Sequence, residues 1–273
     1  MESYHDTPRA QSFPKIHQLN MKKDGPWWQH YDLESLRFFC TFTSVGSHLI
    51  VEDKQQVDKY MHNFFWIGDS TVNQEALLNY YQERKKKKYM TLRLEDQAED
   101  QRALLPLPSP TTMTKYLYMT CSLANWKISV PPAIVIEDVA PGDVENLAFL
   151  AEEDRPFGEA YAHHNGRRIH AIMKEYPHYQ MVQARIDGQI VGHVLWITFG
   201  DVAEFDEFYV SPRYQHRGIG TALLYHVKQR AIQSGIQSIF LTTNAADTAY
   251  LFYEKMGFKV QGYYHDLRWF FSK

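Results

Sequence analysis

The stretch Tyr209–Leu224, YVSPRYQHRGIGTALL, constrains the fold more than any other part of this chain. An apolar strand end runs into Pro212, a short polar run follows, and Gly218 and Gly220 stand just before an apolar helical repeat. Bare backbone at a strand-to-helix turn leaves the first N–H groups of the helix uncovered, and that end carries a partial positive charge. Such a place binds phosphate, and His216 and Arg217 add side-chain donors. Two familiar phosphate cradles do not fit. A GxGxxG fingerprint needs a third glycine where Leu223 stands, and a P-loop needs a lysine where Thr221 stands. What remains is Gln215-x-x-Gly218-x-Gly220, which on its own suits a tight structural turn as well as a pyrophosphate.

The surroundings narrow the choice. Residues 133–139 read as a strand, 140–153 as a helix with Asp143 at its cap, and 164–176 as a second helix. Residues 180–199 read as a hairpin turning at Asp187-Gly188. A strand (202–210), an amphipathic helix (218–235) with Leu223, Leu224, Val227 and Ile232 on its apolar side, a strand (237–244), a helix (245–257) and strand material (258–271) follow. The order β-α-α-β-β-β-α-β-α-β predicts an α/β or α+β sheet with helices on its faces. Upstream, residues 1–30 read as an irregular arm pinned to the body by Trp27 and Trp28, and 31–130 as a smaller α/β domain. In that segment 34–42 and 47–53 are of strand length, 73–88 is helical, and 89–96 and 115–123 are strands. Pro131-Pro132 serves as the linker to a domain over 131–273.

The 131–273 segment resembles the GNAT N-acetyltransferase superfamily. The family's acyl-CoA motif follows a strand ending in Val-x-Pro, here Val210-Ser211-Pro212 and then Gln215 to Gly220. Its later helix carries a YEKxGF signature, here FYEKMGF from Phe252 to Phe258. The resemblance implies a mixed central sheet flanked by helices and a direct transfer of acetyl from acetyl-CoA to a primary amine, small molecule or peptide, without a metal. It implies that Gln215, His216, Arg217, Gly218, Ile219, Gly220 and Thr221 hold the pyrophosphate. Phe208, Tyr209 and Val210 would offer strand backbone to pantetheine, and an amide near Phe208 would polarise the thioester. Glu204, with Glu207 as rival, would be the base, and Tyr253 the proton donor to the leaving thiolate. Many members carry an asparagine where Ala246 stands, so Asn244 is the substitute contact or merely a helix cap. Strand alternation sets Glu204, Asp206 and Phe208 on one face and Glu207 on the other, and these acids mildly favour a cationic acceptor. A non-catalytic acyl-CoA-binding regulatory module is the alternative, with the acid and tyrosine positions idle.

Other signals are weaker. His163, His164 and His170 read as helix-surface residues, with His163, Arg167, Tyr263 and Tyr264 as minor acceptor-site candidates. Residues 89–123 faintly echo 237–271, which suggests a degenerate copy of the same fold without a phosphate loop, serving the acceptor pocket, dimerisation or a ligand of its own. A net charge of −3 argues against nucleic acid or an anionic membrane as partner. Cys40 and Cys121 form no CxxC pair, so a disulfide scaffold is not expected. With no apolar leader and no apolar run near the ~20 residues a membrane helix needs, a cytoplasmic location is the default expectation.

Overall fold

The computed structural model describes residues 26–57, 59–68, 72–96, 102, 105–128 and 134–271. Most of the arm and the proline linker therefore lie outside the described residues. From the N-terminus come α1 (Trp27–Ser35), β1 (Thr41–Val45), β2 (His48–Glu52), β3 (Phe64–Ile67), α2 (Gln74–Lys85), β4 (Tyr89–Glu95) and β5 (Thr112–Ser122). Then follow β6 (Val135–Asp138), α3 (Val144–Asp154), α4 (Glu159–Glu175), β7 (Tyr179–Ile186), β8 (Gln189–Phe199) and β9 (Val202–Val210). The chain closes with α5 (Ile219–Gln233), β10 (Ser238–Asn244), α6 (Ala249–Lys255) and β11 (Lys259–Phe270). The predicted order of elements after residue 133 is the observed one. The Asp187-Gly188 turn has both residues at positive φ, 49° and 79°, as a two-residue hairpin turn requires. Asp143 caps α3 by accepting the N–H groups of Glu145 and Asn146 at 2.9 and 3.1 Å.

Two expectations need correction. Trp27 opens a helix rather than ending an irregular arm, and Leu36–Phe38 is a 3₁₀ turn, so the strand predicted over 34–42 begins only at Thr41. The apolar residues there are spent on the helix-to-strand corner, where Phe38 and Phe39 meet Tyr179 edge-on. The four-residue β3 carries no sequence signal. It is buried throughout and shows no alternation to read.

All strands join one 11-stranded sheet in the order β1-β2-β3-β4-β11-β5-β10-β9-β8-β7-β6. Its centre is exchanged between the two halves of the chain. β11 lies between β4 and β5, and β5 lies between β11 and β10, all antiparallel. On either side of this pair a parallel couple is joined by a helix: β3–α2–β4 and β9–α5–β10. Apart from β6 at the far edge, the order is thus symmetric about the β11–β5 boundary, and each half hands its last strand to the other.

A buried polar cluster ties the halves together. The Arg93 guanidinium lies between the rings of Phe64 and Tyr264, 4.1 Å from each centroid. It donates to Asp32 of α1 and Asp266 of β11, both at 3.2 Å. Beside it, Glu95 accepts from Gln29 and Trp66 at 2.8 Å and from Tyr118 at 3.1 Å. Burial pushes the Glu95 carboxyl up to about 8 against those donors. Tyr264, a candidate substrate contact in sequence, is instead stacked on Tyr116 in this cluster. Among the described residues no helix is long and apolar enough to cross a membrane.

Candidate active site

The parallel pair β9–β10 is hydrogen-bonded only from Ser238↔Val202 to Leu241↔Phe205. Past Phe205 the two strands part, and residues 206–210 keep only β8 as a partner. The free edge of β9 leads through Pro212 into the Gln215–Gly220 loop. Gly218, at φ 82°, is the left-handed N-cap of α5, and His216 is also left-handed at 60°. No side chain caps α5, so the amides of Gly218 to Thr221 lack an intrahelical partner. A Cβ on Gly220 would lie 3.1 Å from Phe208 and 3.5 Å from Phe252, which are stacked on each other. Gln215, His216 and Arg217 are exposed, Ile219 is buried under the turn, and Gln215 Nε2 donates to the Val210 carbonyl at 3.0 Å. All the residues expected to form the cradle therefore meet at one strand-to-helix junction. At the start of α2, by contrast, Asn73 Oδ1 accepts from Ala76 N–H at 3.1 Å.

The acids do not follow simple alternation. The β8–β9 register shifts between His193 and Leu195, and Glu207 takes a positive φ of 43°. This bulge lets consecutive residues Asp206 and Glu207 act on the same Lys59. A left-handed non-glycine residue stores strain and is often found at working sites. Asp206 is solvent-exposed although many protein atoms surround its carboxyl, and its Oδ1 accepts the Glu207 N–H at 2.9 Å. Enclosure, then the charge of Glu207, push its carboxyl up to about 7. Glu204 is different. It is buried inside the paired stretch of β9 with Oε2 lacking a hydrogen-bond partner, and burial holds its carboxyl well above the usual range.

Acids that sequence patterning did not single out interact with Glu207. Asp154, raised to about 6 by burial, accepts from Asn165 at 2.9 Å. Glu153, raised to about 9 by burial and then by Glu207, stands 3.3 Å from the fully buried His193. Lys59 reaches in from the N-terminal half. Only the long-range fold brings these groups together.

Tyr253 is buried between Phe208, Phe252 and Phe258, and burial drives its phenol well above the ordinary value. Asn244 ends β10 and spends its Oδ1 on the Ala246 N–H at 3.0 Å. His163 and Arg167 are exposed, paired with Glu159 and with the His163 carbonyl. His170 is not a surface residue. It is buried, accepting from Gly142 N–H at 2.8 Å and bonding Asn146 at 2.9 Å. Cys40, Asp53 and His62 place potential ligand atoms within 4.8 Å of one another, but Arg168 already donates to Asp53 at 2.7 Å. A cation bonded to the carboxylate opposes a second cation there.

Residues 146–258 match the model of the Acetyltransferase (GNAT) family. That segment is similar to the GNAT acyltransferases. No curated protein matches the chain. A conserved protein of unknown function from Staphylococcus epidermidis superposes with a TM-score of 0.68 at 19% identity, covering 88% of this chain and 98% of its own. A GCN5-related N-acetyltransferase from Kribbella flavida gives 0.60 at 16%, covering 86% and 91%. A tandem GNAT protein from the clavulanic acid biosynthesis pathway gives 0.54 at 13%, covering 71% and 68%. At these identities the likeness is one of fold, and in the first two it extends through most of both chains.

Proposed function

We propose that this protein is an N-acetyltransferase that moves acetyl from acetyl-CoA directly to a primary amine. The observation that carries the reading is the free edge of β9 running into the uncapped N-terminus of α5. In this reading the amides of Gly218 to Thr221, with Gln215, His216 and Arg217, hold the pyrophosphate. The open backbone of Phe208 to Val210 lies along pantetheine, and an amide near Phe208 polarises the thioester carbonyl. A neutral amine attacks that carbonyl. The new C–N bond forms, the C–S bond breaks, the amine proton passes to the Asp206–Glu207 pair, and the thiolate takes a proton from Tyr253. Burial keeps the Tyr253 phenol protonated, and donation requires the same enclosure to raise the proton affinity of the thiolate as well. Glu204, buried and held neutral, shapes the site instead of serving as base. The N-terminal half is read as a second copy of the fold that has lost its cradle, supported by the sheet symmetry and the capped start of α2.

The rival is a non-catalytic acyl-CoA-binding module. Tyr253→Phe separates the two. If the phenol is the acid, kcat for amine acetylation falls about 10²-fold or more, while calorimetry finds acetyl-CoA affinity within about twofold of wild type. An unchanged kcat would remove Tyr253 from the mechanism. Acetyl-CoA binding without turnover across a broad amine panel would favour the binding module.

A further inference from the structure

The bulge in β9 is flanked on β8 by His193. His193↔Tyr209 and Leu195↔Asp206 are paired, so Val194 alone stands opposite Glu207 and Phe208. His193 is fully buried, edge-on to Phe149 of α3 at 5.6 Å and beside the Tyr209 ring at 6.1 Å. Its Nε2 lies 3.3 Å from Glu153 Oε2 of α3. Neither ring nitrogen closes a well-formed hydrogen bond, and neither does that carboxyl oxygen. Buried polar atoms left open in this way are rare in folded proteins.

The ring also meets the Glu207 main chain, whose carbonyl favours a proton on it. With Nε2 turned to Glu153, Nδ1 is left for that carbonyl. Glu207 C=O and Phe208 N–H belong to one trans peptide and point in opposite directions. A donor on the carbonyl therefore aims the Phe208 N–H away from His193 and strengthens it as a donor in turn. The other end of Glu207 is held as well, since Asp206 Oδ1 accepts its N–H at 2.9 Å.

We propose that Glu153 and His193 form a hydrogen-bonded relay, Glu153 O–H to His193 Nε2 and His193 Nδ1–H to the Glu207 carbonyl, that sets the Phe208 amide for the thioester. Both are positioning residues, and the role rests on the acetyltransferase reading above. Burial favours the charge state the relay needs. It pushes the Glu153 carboxyl up to about 9, with Glu207 and Asp154 adding to it, and the His193 imidazole down to about 3. Near neutral pH the carboxyl keeps its proton and the ring is neutral. The Tyr209 hydroxyl, beside Glu153 and Glu152, is raised too and stays protonated with them. Which ring nitrogen carries the proton is set by the bond the other makes. Once Glu153 ionises it can only accept, so the ring proton moves to Nε2 and the Glu207 carbonyl loses its donor. Such bonds are often long without substrate and close in the complex.

The test reads the ring first and its effect second. In nitrogen NMR of the full wild-type chain at neutral pH, His193 is expected as the neutral Nδ1–H tautomer. An Nε2–H tautomer or an imidazolium would overturn the relay, and this spectrum decides even if a variant fails to fold. Glu153→Gln keeps an N–H donor for Nε2 and cannot ionise, so its kcat is expected within about threefold of wild type. Glu153→Leu removes the donor and is expected to lose about 10²-fold in kcat, the cost of a displaced catalytic group, with acetyl-CoA affinity by calorimetry kept within about twofold. Wild type should also lose kcat as pH passes about 9, a fall missing in Glu153→Gln. A Glu153→Leu kcat equal to wild type, or equal losses of kcat and affinity in both variants, would overturn the positioning role. Wild type that acetylates no amine would overturn the acetyltransferase reading and that role with it, while the tautomer would still report whether the relay is made.

Discussion

Replacing Arg93 with methionine is expected to destabilise the protein by about 3–5 kcal/mol and to lower its melting temperature by roughly 10 °C. Methionine fills much of the space between Phe64 and Tyr264, so the loss is not chiefly one of packing. It comes from leaving Asp32 and Asp266 buried without the cation that both now bond. Those acids sit on α1 and β11, while Arg93 is on β4, so the cluster joins the two halves across their exchanged strands. Burial already pushes Asp32 upward, and Arg93 is the main influence holding it down. Without Arg93 the folded protein keeps a proton on Asp32 that the unfolded chain releases. Stability of the variant should therefore fall as pH rises, and its deficit should shrink toward pH 5. Thermal unfolding of both proteins from pH 5 to 8 measures this. A deficit below about 1 kcal/mol at every pH would show that Arg93 does not hold the halves together.

Asp206→Asn is expected to reduce kcat by about 10²–10⁴-fold, the range of a positioned base. The substitution keeps an oxygen able to accept the Glu207 N–H, so the bulge is retained. In wild type the carboxyl must be ionised to take the amine proton. With enclosure and Glu207 raising it to about 7, kcat should climb through neutral pH and level off above it. That limb should vanish in Asp206→Asn, with acetyl-CoA affinity preserved. A wild-type-like profile in Asp206→Asn, paired with loss of the limb in Glu207→Gln, would move the base to Glu207.

The cradle was legible in sequence because everything it needs is local. A strand end, Pro212, two glycines and an apolar repeat lie within sixteen residues, from Tyr209 to Leu224. The neighbours of the β9 acids were not legible. Lys59 and Asp206 are far apart in the chain, and only the packing of the two halves brings them together. Alternation misplaced Glu207 because a bulge is a departure from the two-residue period, and neither Glu207 nor its neighbours is a glycine that would have signalled one. The strand exchange left a trace in the echo between residues 89–123 and 237–271. No sequence period says which half a strand will pair with, so β11 between β4 and β5 had to be seen. His170 was misjudged for a related reason: its partners, Gly142 and Asn146, come from the preceding loop and helix.

The most direct test of the account is isothermal calorimetry of acetyl-CoA against wild type and a Gly218→Asp, Gly220→Asp double variant. Aspartate at these positions puts two carboxylates where the pyrophosphate should sit, and strains the left-handed Gly218. The account predicts micromolar binding to wild type and none to a double variant that still unfolds cooperatively. A folded wild type that takes up no acetyl-CoA, or a double variant that binds as well as wild type, would contradict it.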